Sequence, residues 1–113
     1  MPAEWQAQKA VWLSWPVKDP RHWGGTKLDL IVSKFAEIAA IISRHELVRI
    51  NAPAANHNHI LDACNKAKAM LEHIELFDHE HNDVWCRDHG PIFVKHHETG
   101  ELAVTDWEFN AWG

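Results

Sequence analysis

Short apolar runs separated by longer amphipathic stretches organise this 113-residue chain. Residues 10–15 (AVWLSW) end at Pro16, residues 47–50 (LVRI) end at an Asn-Ala-Pro sequence, and residues 73–77 (HIELF) lead into a charged stretch. Apolar runs of this length, bounded by proline or polar residues, are typical of buried strands. We therefore predict three strands in the first two thirds of the chain.

Helical periodicity fills the first interval between these strands. Thr26 stands where a helix N-cap is expected, and Asp29 follows in the capping-box position. Apolar side chains recur at spacings of three and four as far as about Arg44, and we expect this stripe to face the sheet: Leu28, Ile31, Phe35, Ile38 and Ile42.

A second helix is predicted over residues 56–71, because apolar side chains again share one face: Ile60, Cys64, Ala67 and Leu71. Cys64 lies on this face and is expected to be a small core residue. His57 and His59 lie near the helix start and are expected in solvent.

The connections complete the predicted fold. Residues 16–25 contain two prolines and a Gly-Gly pair, so we expect a loop. Trp23 in this loop either packs over the core, which we favour, or forms part of a substrate rim. Residues 91–95 and 102–105 predict a β-hairpin that turns at residues 97–100 (HETG). The order of strand, helix, strand, helix, strand and hairpin predicts an α/β architecture.

Residues 82–91 (NDVWCRDHGP) carry the candidate chemistry. An extended backbone would place Asp83, Trp85, Arg87 and His89 on one face, with Asn82, Val84, Cys86 and Asp88 on the other. A carboxylate beside an aromatic plane suits a flat cation such as guanidinium, which needs in-plane hydrogen bonds and a stacking surface. A purely structural interpretation, in which Arg87 pairs with Asp83 or Asp88 and Trp85 is core, stays open at this point.

The pattern NDxWxRDxGP at residues 82–91 resembles a motif of the agmatine deiminase and bacterial-type peptidyl-arginine deiminase family, the guanidino-group-modifying enzymes of the pentein fold. The opening MPAEW with AVWLSWP at residues 10–16, and DWxFNAWG at residues 106–113, resemble two further family blocks. The three matches lie in family order. The resemblance implies that residues 1–113 are the N-terminal portion of a pentein domain, with one ββαβ unit of the α/β propeller and the start of a second.

The resemblance also implies roles for individual residues. Asp88 would grip the guanidinium nitrogens as a catalytic residue, Trp85 would line the substrate pocket, and Asp83 would contribute to its rim. Arg87 is expected to be a structural partner for an acidic neighbour, because a cation in this pocket would repel the substrate. The family commonly has a small hydroxylated residue where His81 stands, which affects the expected hydrogen bonding around Asp83.

Deimination also needs a thiolate to attack the guanidinium carbon and a His to transfer protons. In the family both lie downstream of the part matched here, and neither Cys64 nor Cys86 matches the nucleophile's motif. We therefore expect this chain to be inactive alone. The opening motif and the absence of a secretion signal favour agmatine over peptidyl arginine as substrate. No metal or organic cofactor is implied.

Composition narrows the range of partners. The net charge of −5 argues against nucleic acid and is compatible with a small cationic substrate. The chain has seven Trp and no Tyr, so Trp supplies most of its large aromatic side chains. Some of these indoles should line a ligand site or an interface. No stretch is long enough to span a membrane, and two cysteines in unlike contexts favour a reducing, cytoplasmic setting.

Two alternatives compete with the deiminase interpretation. His79, His81 and Asp83 resemble the start of a metallo-β-lactamase-type HxHxDH motif, and alternation along a strand would place all three on one face. However, Val84 stands where a further His should follow. The other alternative is a non-enzymatic domain. Part of a propeller would leave apolar edges uncovered, so we expect self-association to a homo-oligomer in either case.

Overall fold

The computed structural model describes residues 5–18 and 26–108, apart from the side chains of Thr26 and His89. It divides into two compact units, which we call the core unit, Gln8–Val84, and the hairpin unit, Met1–Ala7 with Trp85–Gly113. The predicted packing of Trp23 and the last five residues of the DWxFNAWG block, 109–113, lie outside the described residues.

The core unit has the predicted α/β order. Its elements are β1 (Val11–Ser14), α1 (Thr26–Ile42), β2 (Val48–Ala52), α2 (His57–Lys66) and β3 (Ile74–Asp78), with short 3₁₀ turns at Ala54–Asn56 and Leu71–His73. The three strands form a parallel sheet in the order β1-β2-β3. This βαβαβ order differs from the ββαβ order expected for the sheet.

The central strand β2 determines which face of the sheet is covered. Val48, Ile50 and Ala52 are fully buried, and they pack with residues of both helices in one core cluster. Arg49 and Asn51 alternate with them and lie on the other face. The core unit is therefore a two-layer structure in which α1 and α2 cover the same side of the sheet.

The buried stripe of α1 differs from the predicted one. Its centre consists of small residues, Ala36, Ala39 and Ala40, with Val32, Phe35 and Ile42 packed beside it. Ile38 is 44% exposed and does not belong to the core. Small side chains allow α1 to approach the sheet and α2 closely, and the large aliphatic residues Leu30 and Ile41 remain on the outer surface.

Helix α2 is shorter than predicted. It ends at Lys66, and Lys68 then takes a left-handed backbone conformation with φ of 62°. The Ala69 amide donates to the Cys64 carbonyl at 2.9 Å, which closes the last turn. Leu71 consequently leaves the helix and is exposed in the 3₁₀ turn that follows.

Two predictions about α2 concern its sulfur and imidazole side chains. Cys64 is fully buried beside Ile60, as predicted. His59 is exposed, as predicted, whereas His57 is only partly exposed because its Nε2 lies 3.0 Å from the Ala52 carbonyl oxygen. The expectation of a solvated His57 was therefore wrong.

Ser43 joins the end of α1 to the segment before β3. Its buried hydroxyl donates to the Ala40 carbonyl and accepts from the Met70 amide, both at 3.0 Å. Its own carbonyl oxygen lies 2.6 Å from Nδ1 of His73. A buried hydroxyl with both roles filled adds order without an unsatisfied polar group.

The face of the sheet opposite the helices carries an aromatic and charged cluster. The Arg49 guanidinium carbon lies 5.5 Å from the Trp12 ring centroid and 5.8 Å from that of Phe77. Its Nε donates to a Glu75 carboxylate oxygen at 2.9 Å. Trp12 on β1 and Glu75 on β3 are the register partners of Arg49 on β2. The cluster therefore forms only when all three strands are paired in this register.

The hairpin unit contains one helical turn, α3 (Cys86–His89), and the predicted hairpin, β4 (Ile92–Lys95) and β5 (Leu102–Thr105). The strands pair antiparallel, with Phe93 opposite Val104. Gly100 closes the turn with φ of 74°, and its amide donates to the His96 carbonyl at 3.0 Å. Among the described helices, none is long and apolar enough to cross a lipid bilayer.

Candidate functional site

The segment between β3 and the hairpin unit is anchored by side-chain contacts to the backbone. Nε2 of His81 lies 3.1 Å from the Asn51 carbonyl oxygen on β2. A carboxylate oxygen of Asp83 accepts a hydrogen bond from the next amide, that of Val84, at 2.7 Å. The His81 imidazole thus reaches back to the sheet, and Asp83 stabilises its own turn.

Residues 86–89 form a helical turn, so the extended backbone considered for residues 82–91 does not continue through them. The Asp88 amide donates to the Trp85 carbonyl at 3.0 Å, and the Gly90 amide to the Cys86 carbonyl at 2.8 Å. An extended chain would have placed Trp85 and Asp88 on opposite faces. Trp85 instead precedes the turn as its N-cap residue, and Asp88 lies within the turn.

The Gly-Pro pair explains why the helix stops after one turn. Pro91 restricts the residue before it to an extended backbone, and Gly90 has φ −76° and ψ 156°. A Cβ added at Gly90 would collide with the Cys86 carbonyl oxygen. Only glycine allows this tight closure, which directs the chain from Asp88 straight into β4.

Asp88 is exposed and lies on the wall of a groove of about 450 Å³ within the hairpin unit. The α3 turn and the two strands of the hairpin surround the groove. Its other described lining residues are Arg87, Gly90, Pro91, Ile92, Val104, Thr105, Asp106, Trp107 and Glu108. Within the described residues, the Asp88 carboxylate has no hydrogen-bond partner, so both oxygens can accept from a ligand.

Negative charge predominates in this groove. Three carboxylates, on Asp88, Asp106 and Glu108, accompany one guanidinium, on Arg87. The indole of Trp107 adds an exposed aromatic surface. The groove can therefore bind a flat cation by hydrogen bonds and stacking, although its exposure to solvent screens the attraction. No Cys or His belongs to its described lining, so these residues supply binding rather than a nucleophile.

The structure places the three predicted site residues differently. Asp88 lines the groove. Trp85 is exposed but does not belong to the described lining. Asp83 is in the core unit, where its carboxylate is half-buried. Their assignments to a common pocket stay predictions.

Sequence reasoning did not assign Asp106, Trp107 and Glu108 to the site. They follow β5, and the pairing of Ile92 with Thr105 brings them to the same groove as Asp88. The available signal was the second juxtaposition of an acid and an indole, which repeats the chemistry around Trp85. Whether this second acid and indole lie near Asp88 depends on the register of the hairpin, and the sequence of residues 106–108 does not determine that register.

The metal-site alternative depended on a strand that the structure does not contain. β3 ends at Asp78, before His79, His81 and Asp83, so alternation on a strand does not bring them together. His79 stacks on Phe77, and Asp83 accepts from its own neighbour's amide. In residues 5–18 and 26–108, no group of three or more His, Cys, Asp or Glu side chains is arranged to hold a metal ion.

The two cysteines do not form a disulfide. Burial among apolar side chains raises the pKa of the Cys64 thiol to about 11, because the thiolate would lose its hydration. A thiol with this pKa is a poor nucleophile near neutral pH. The structure thus supports the prediction that Cys64 is a core residue rather than a catalytic one.

The fold and the motif identify the class of protein. The sequence profile of the Porphyromonas-type peptidyl-arginine deiminase family matches residues 1–113, and the chain belongs to this family. The agmatine deiminase of Pseudomonas syringae pv. tomato is 37% identical over 115 residues, which cover 100% of this chain and 28% of that protein. The chain thus spans less than a third of the length of this relative.

Solved structures show the same relationship. The agmatine deiminase of Enterococcus faecalis, solved while catalysing its reaction, superposes with a TM-score of 0.73 at 30% identity, covering 100% of this chain and 28% of that one. A Cys-to-Ser variant of the C. jejuni agmatine deiminase, solved with substrate bound, gives a TM-score of 0.70 at 27% identity, covering 96% of this chain and 29% of the other. The predicted family resemblance is confirmed.

Proposed function

We propose that this chain supplies part of the guanidinium-binding site of an agmatine deiminase-like hydrolase. The overall reaction is agmatine plus water to N-carbamoylputrescine plus ammonia, a step toward putrescine. Asp88 grips the guanidinium nitrogens, Trp85 lines the pocket and Asp83 contributes to its rim. Similarity to agmatine deiminases over the whole chain supports this activity and favours agmatine over peptidyl arginine.

The observation that carries the proposal is the position of the Asp88 carboxylate. It is exposed on the wall of a groove that contains two further carboxylates and an indole. If Asp88 were buried and bonded only to its own backbone, it could not bind a ligand, and the motif would indicate family membership alone. Two oxygens that accept in-plane hydrogen bonds match the planar N–H pattern of guanidinium.

Asp88 acts on the reacting group by holding and orienting it. When its oxygens bind two guanidinium nitrogens, the positive charge stays on the substrate and the central carbon remains electrophilic. A thiolate then attacks this carbon, ammonia leaves with a proton from a His, and water releases the ureido product. Within this chain, the groove residues perform only the binding and orientation.

We assign the thiolate and the proton-transferring His to residues beyond the part matched by this chain. A Cys-to-Ser variant of the C. jejuni enzyme was solved with substrate bound, as expected if removal of a nucleophilic thiol stops turnover. Cys64 is buried and unsuited to the task. We further propose that the core and hairpin units are the beginning of a pentein propeller and that the protein acts in the cytoplasm.

Agmatine binding to the purified chain tests the role of Asp88. Replacement by Asn keeps the shape but removes the charge, and at an exposed site we expect a loss of about 1 kcal/mol, equal to a roughly fivefold higher Kd. Calorimetric or NMR titration would measure the Kd. Asp62→Asn on α2 makes the same change of charge at an exposed position outside the groove and should leave the Kd unchanged. Equal affinities for all three proteins would refute the assignment.

A further inference from the structure

The hairpin β4–β5 exposes apolar side chains on both of its faces. Alternation along the paired strands places Ile92 and Val94 on one face, and Phe93, Leu102 and Val104 on the other. These five side chains are between 43% and 69% exposed. A solvated hairpin would have polar residues on at least one face, whereas strands that are apolar on both faces are typical of sheets covered on both sides.

The edges of the hairpin are also available for contact. It is a separate two-stranded sheet within the described residues, and such a hairpin is marginally stable by itself in water. Edge strands with unpaired amides and carbonyls are templates for another strand. The hairpin therefore requires a partner that covers two apolar faces and can extend its sheet.

We infer that this hairpin is the docking surface for the part of an agmatine deiminase-like protein that lies outside the stretch matched by this chain. The inference rests on the proposed function. In the P. syringae and E. faecalis proteins, that part makes up about 72% of the length, because the chain covers 28% of each. A second copy of this chain, applied to one face, would leave the other face bare, whereas a much larger partner can enclose both.

Docking would also complete the groove. Ile92, Val104 and Thr105 belong both to the hairpin and to the lining of the groove around Asp88. A partner that covers the hairpin therefore excludes water from the neighbourhood of this carboxylate, and desolvation strengthens its attraction for a cation. Partner docking and substrate binding are thus expected to favour one another.

The test is co-expression of this chain with the part of the P. syringae agmatine deiminase that remains after the matched stretch is removed, followed by capture through a tag on that part. One variant carries Phe93→Ser with Val104→Ser, and a second carries Ile92→Ser with Val94→Ser, so that each face is changed separately. The control carries Leu30→Ser with Ile41→Ser on α1, where the side chains are 63% and 61% exposed. We expect each hairpin variant to be captured about tenfold more weakly, and the control to be captured as well as the unchanged chain.

Hydrogen exchange of the unchanged chain provides a measurement that does not depend on how the variants fold. Amides of β4 and β5 should gain protection in the complex, whereas those of α1 should not. If the remaining part is insoluble, the two pieces are joined in one polypeptide, and the same substitutions should lower its unfolding temperature more in the hairpin than in α1. Absence of a complex with a soluble partner, unprotected hairpin amides, or equal effects of hairpin and control variants would overturn the inference.

Two further outcomes separate this inference from its alternatives. The first is a stable dimer of the chain alone, seen by light scattering and abolished by the hairpin variants. If the P. syringae part does not displace the second copy from this dimer, the inference is overturned and the hairpin is a homodimer interface. A complex that protects the hairpin but releases no ureido product from agmatine would support docking and contradict the proposed function.

Discussion

Lys68 occupies a backbone conformation that side chains with a Cβ rarely adopt, because φ of 62° brings the Cβ close to the following carbonyl. The conformation is held by the Lys68 amide, which donates to the Asn65 carbonyl at 3.0 Å, and by the closing bond from Ala69 to Cys64. It ends α2 where the apolar periodicity alone suggested four or five more residues. A helix C-terminus of this kind usually uses glycine.

Lys68→Gly should therefore stabilise the core unit. Relief of the left-handed strain contributes roughly 1–2 kcal/mol, and the greater freedom of glycine in the unfolded chain offsets about 0.5–1 kcal/mol of it. We expect a net gain of about 0.5–1 kcal/mol in the free energy of unfolding, measured with urea. Lys66→Gly, at the last residue of the same helix, is the control and should be destabilising by a similar amount. A loss of stability at both positions would contradict this account of the helix end.

Cys64 predicts a specific dependence of stability on alkaline pH. Its pKa is raised by burial from 9.0 to about 11 in the folded protein. Well below pH 9 the thiol is protonated in both the folded and the unfolded state, and its contribution to stability is complete. As pH rises further, the unfolded state loses the proton first, so folding is disfavoured until the folded thiol also titrates near pH 11.

The expected loss of unfolding free energy is about 1 kcal/mol between pH 8 and pH 10, relative to a Cys64→Ala variant measured under the same conditions. The comparison removes the contribution of lysines, which titrate in both proteins. Native Cys64 should also resist thiol reagents until the protein unfolds. An identical pH dependence for the two proteins, or rapid native labelling of Cys64, would show that this thiol is not held in the core.

Individual site residues were predictable only to the extent that their chemistry is local. Asp88 could be identified from the motif, and the structure places it on a groove. Asp106 and Glu108 could not, because they reach this groove through strand pairing across residues 92–105. The backbone of residues 86–89 was also missed. Four residues before Gly-Pro give too little periodicity to distinguish one helical turn from an extended segment.

At the scale of elements, the order of strands and helices followed from the hydrophobic pattern, because each interval was bounded by proline, glycine or polar turns. Predicted and observed strands differ by at most two residues at their ends, and β5 has the predicted bounds. The interior face of α1 was less predictable. Periodicity assigned Ile38 to the core, but the tight contact between α1, α2 and the sheet selects Ala36 and Ala39 instead. How closely α1, α2 and the sheet pack depends on tertiary structure, and the spacing of large side chains within α1 cannot predict it.

Substitutions at two adjacent positions of α1 test this corrected face. Ala39 is fully buried, and Ala39→Leu should destabilise the core unit by about 1–3 kcal/mol because the added side chain has no space. Ile38 is partly exposed, so Ile38→Ala should cost less than about 1 kcal/mol. Unfolding by urea measures both. The reverse ranking would mean that the stripe predicted from periodicity, rather than the alanine stripe, faces the sheet.

At the scale of the whole molecule, the groove residues and the buried Cys64 thiol lie in different parts of the sequence. The described residues provide a carboxylate groove and a buried thiol, each in a different unit. The groove can attract a cation but contains no nucleophile among its described lining residues. A protein with this distribution is expected to recognise guanidinium without converting it, and the distinction can be measured directly.

Incubation of the purified 113-residue chain with agmatine should therefore release neither ureido product nor ammonia above the buffer rate. The physical reason is that turnover needs a thiolate at the guanidinium carbon, and the Cys64 thiol remains protonated and buried near neutral pH. Colorimetric detection of the ureido group measures the outcome, with the complete P. syringae agmatine deiminase as the positive control. Titration of the same preparation with agmatine must show saturable binding, so that an inactive result reflects missing chemistry rather than a misfolded groove. Product formation that persists in Cys64→Ala but disappears in Cys86→Ser would reveal a nucleophile in the α3 turn and contradict the proposed division of roles.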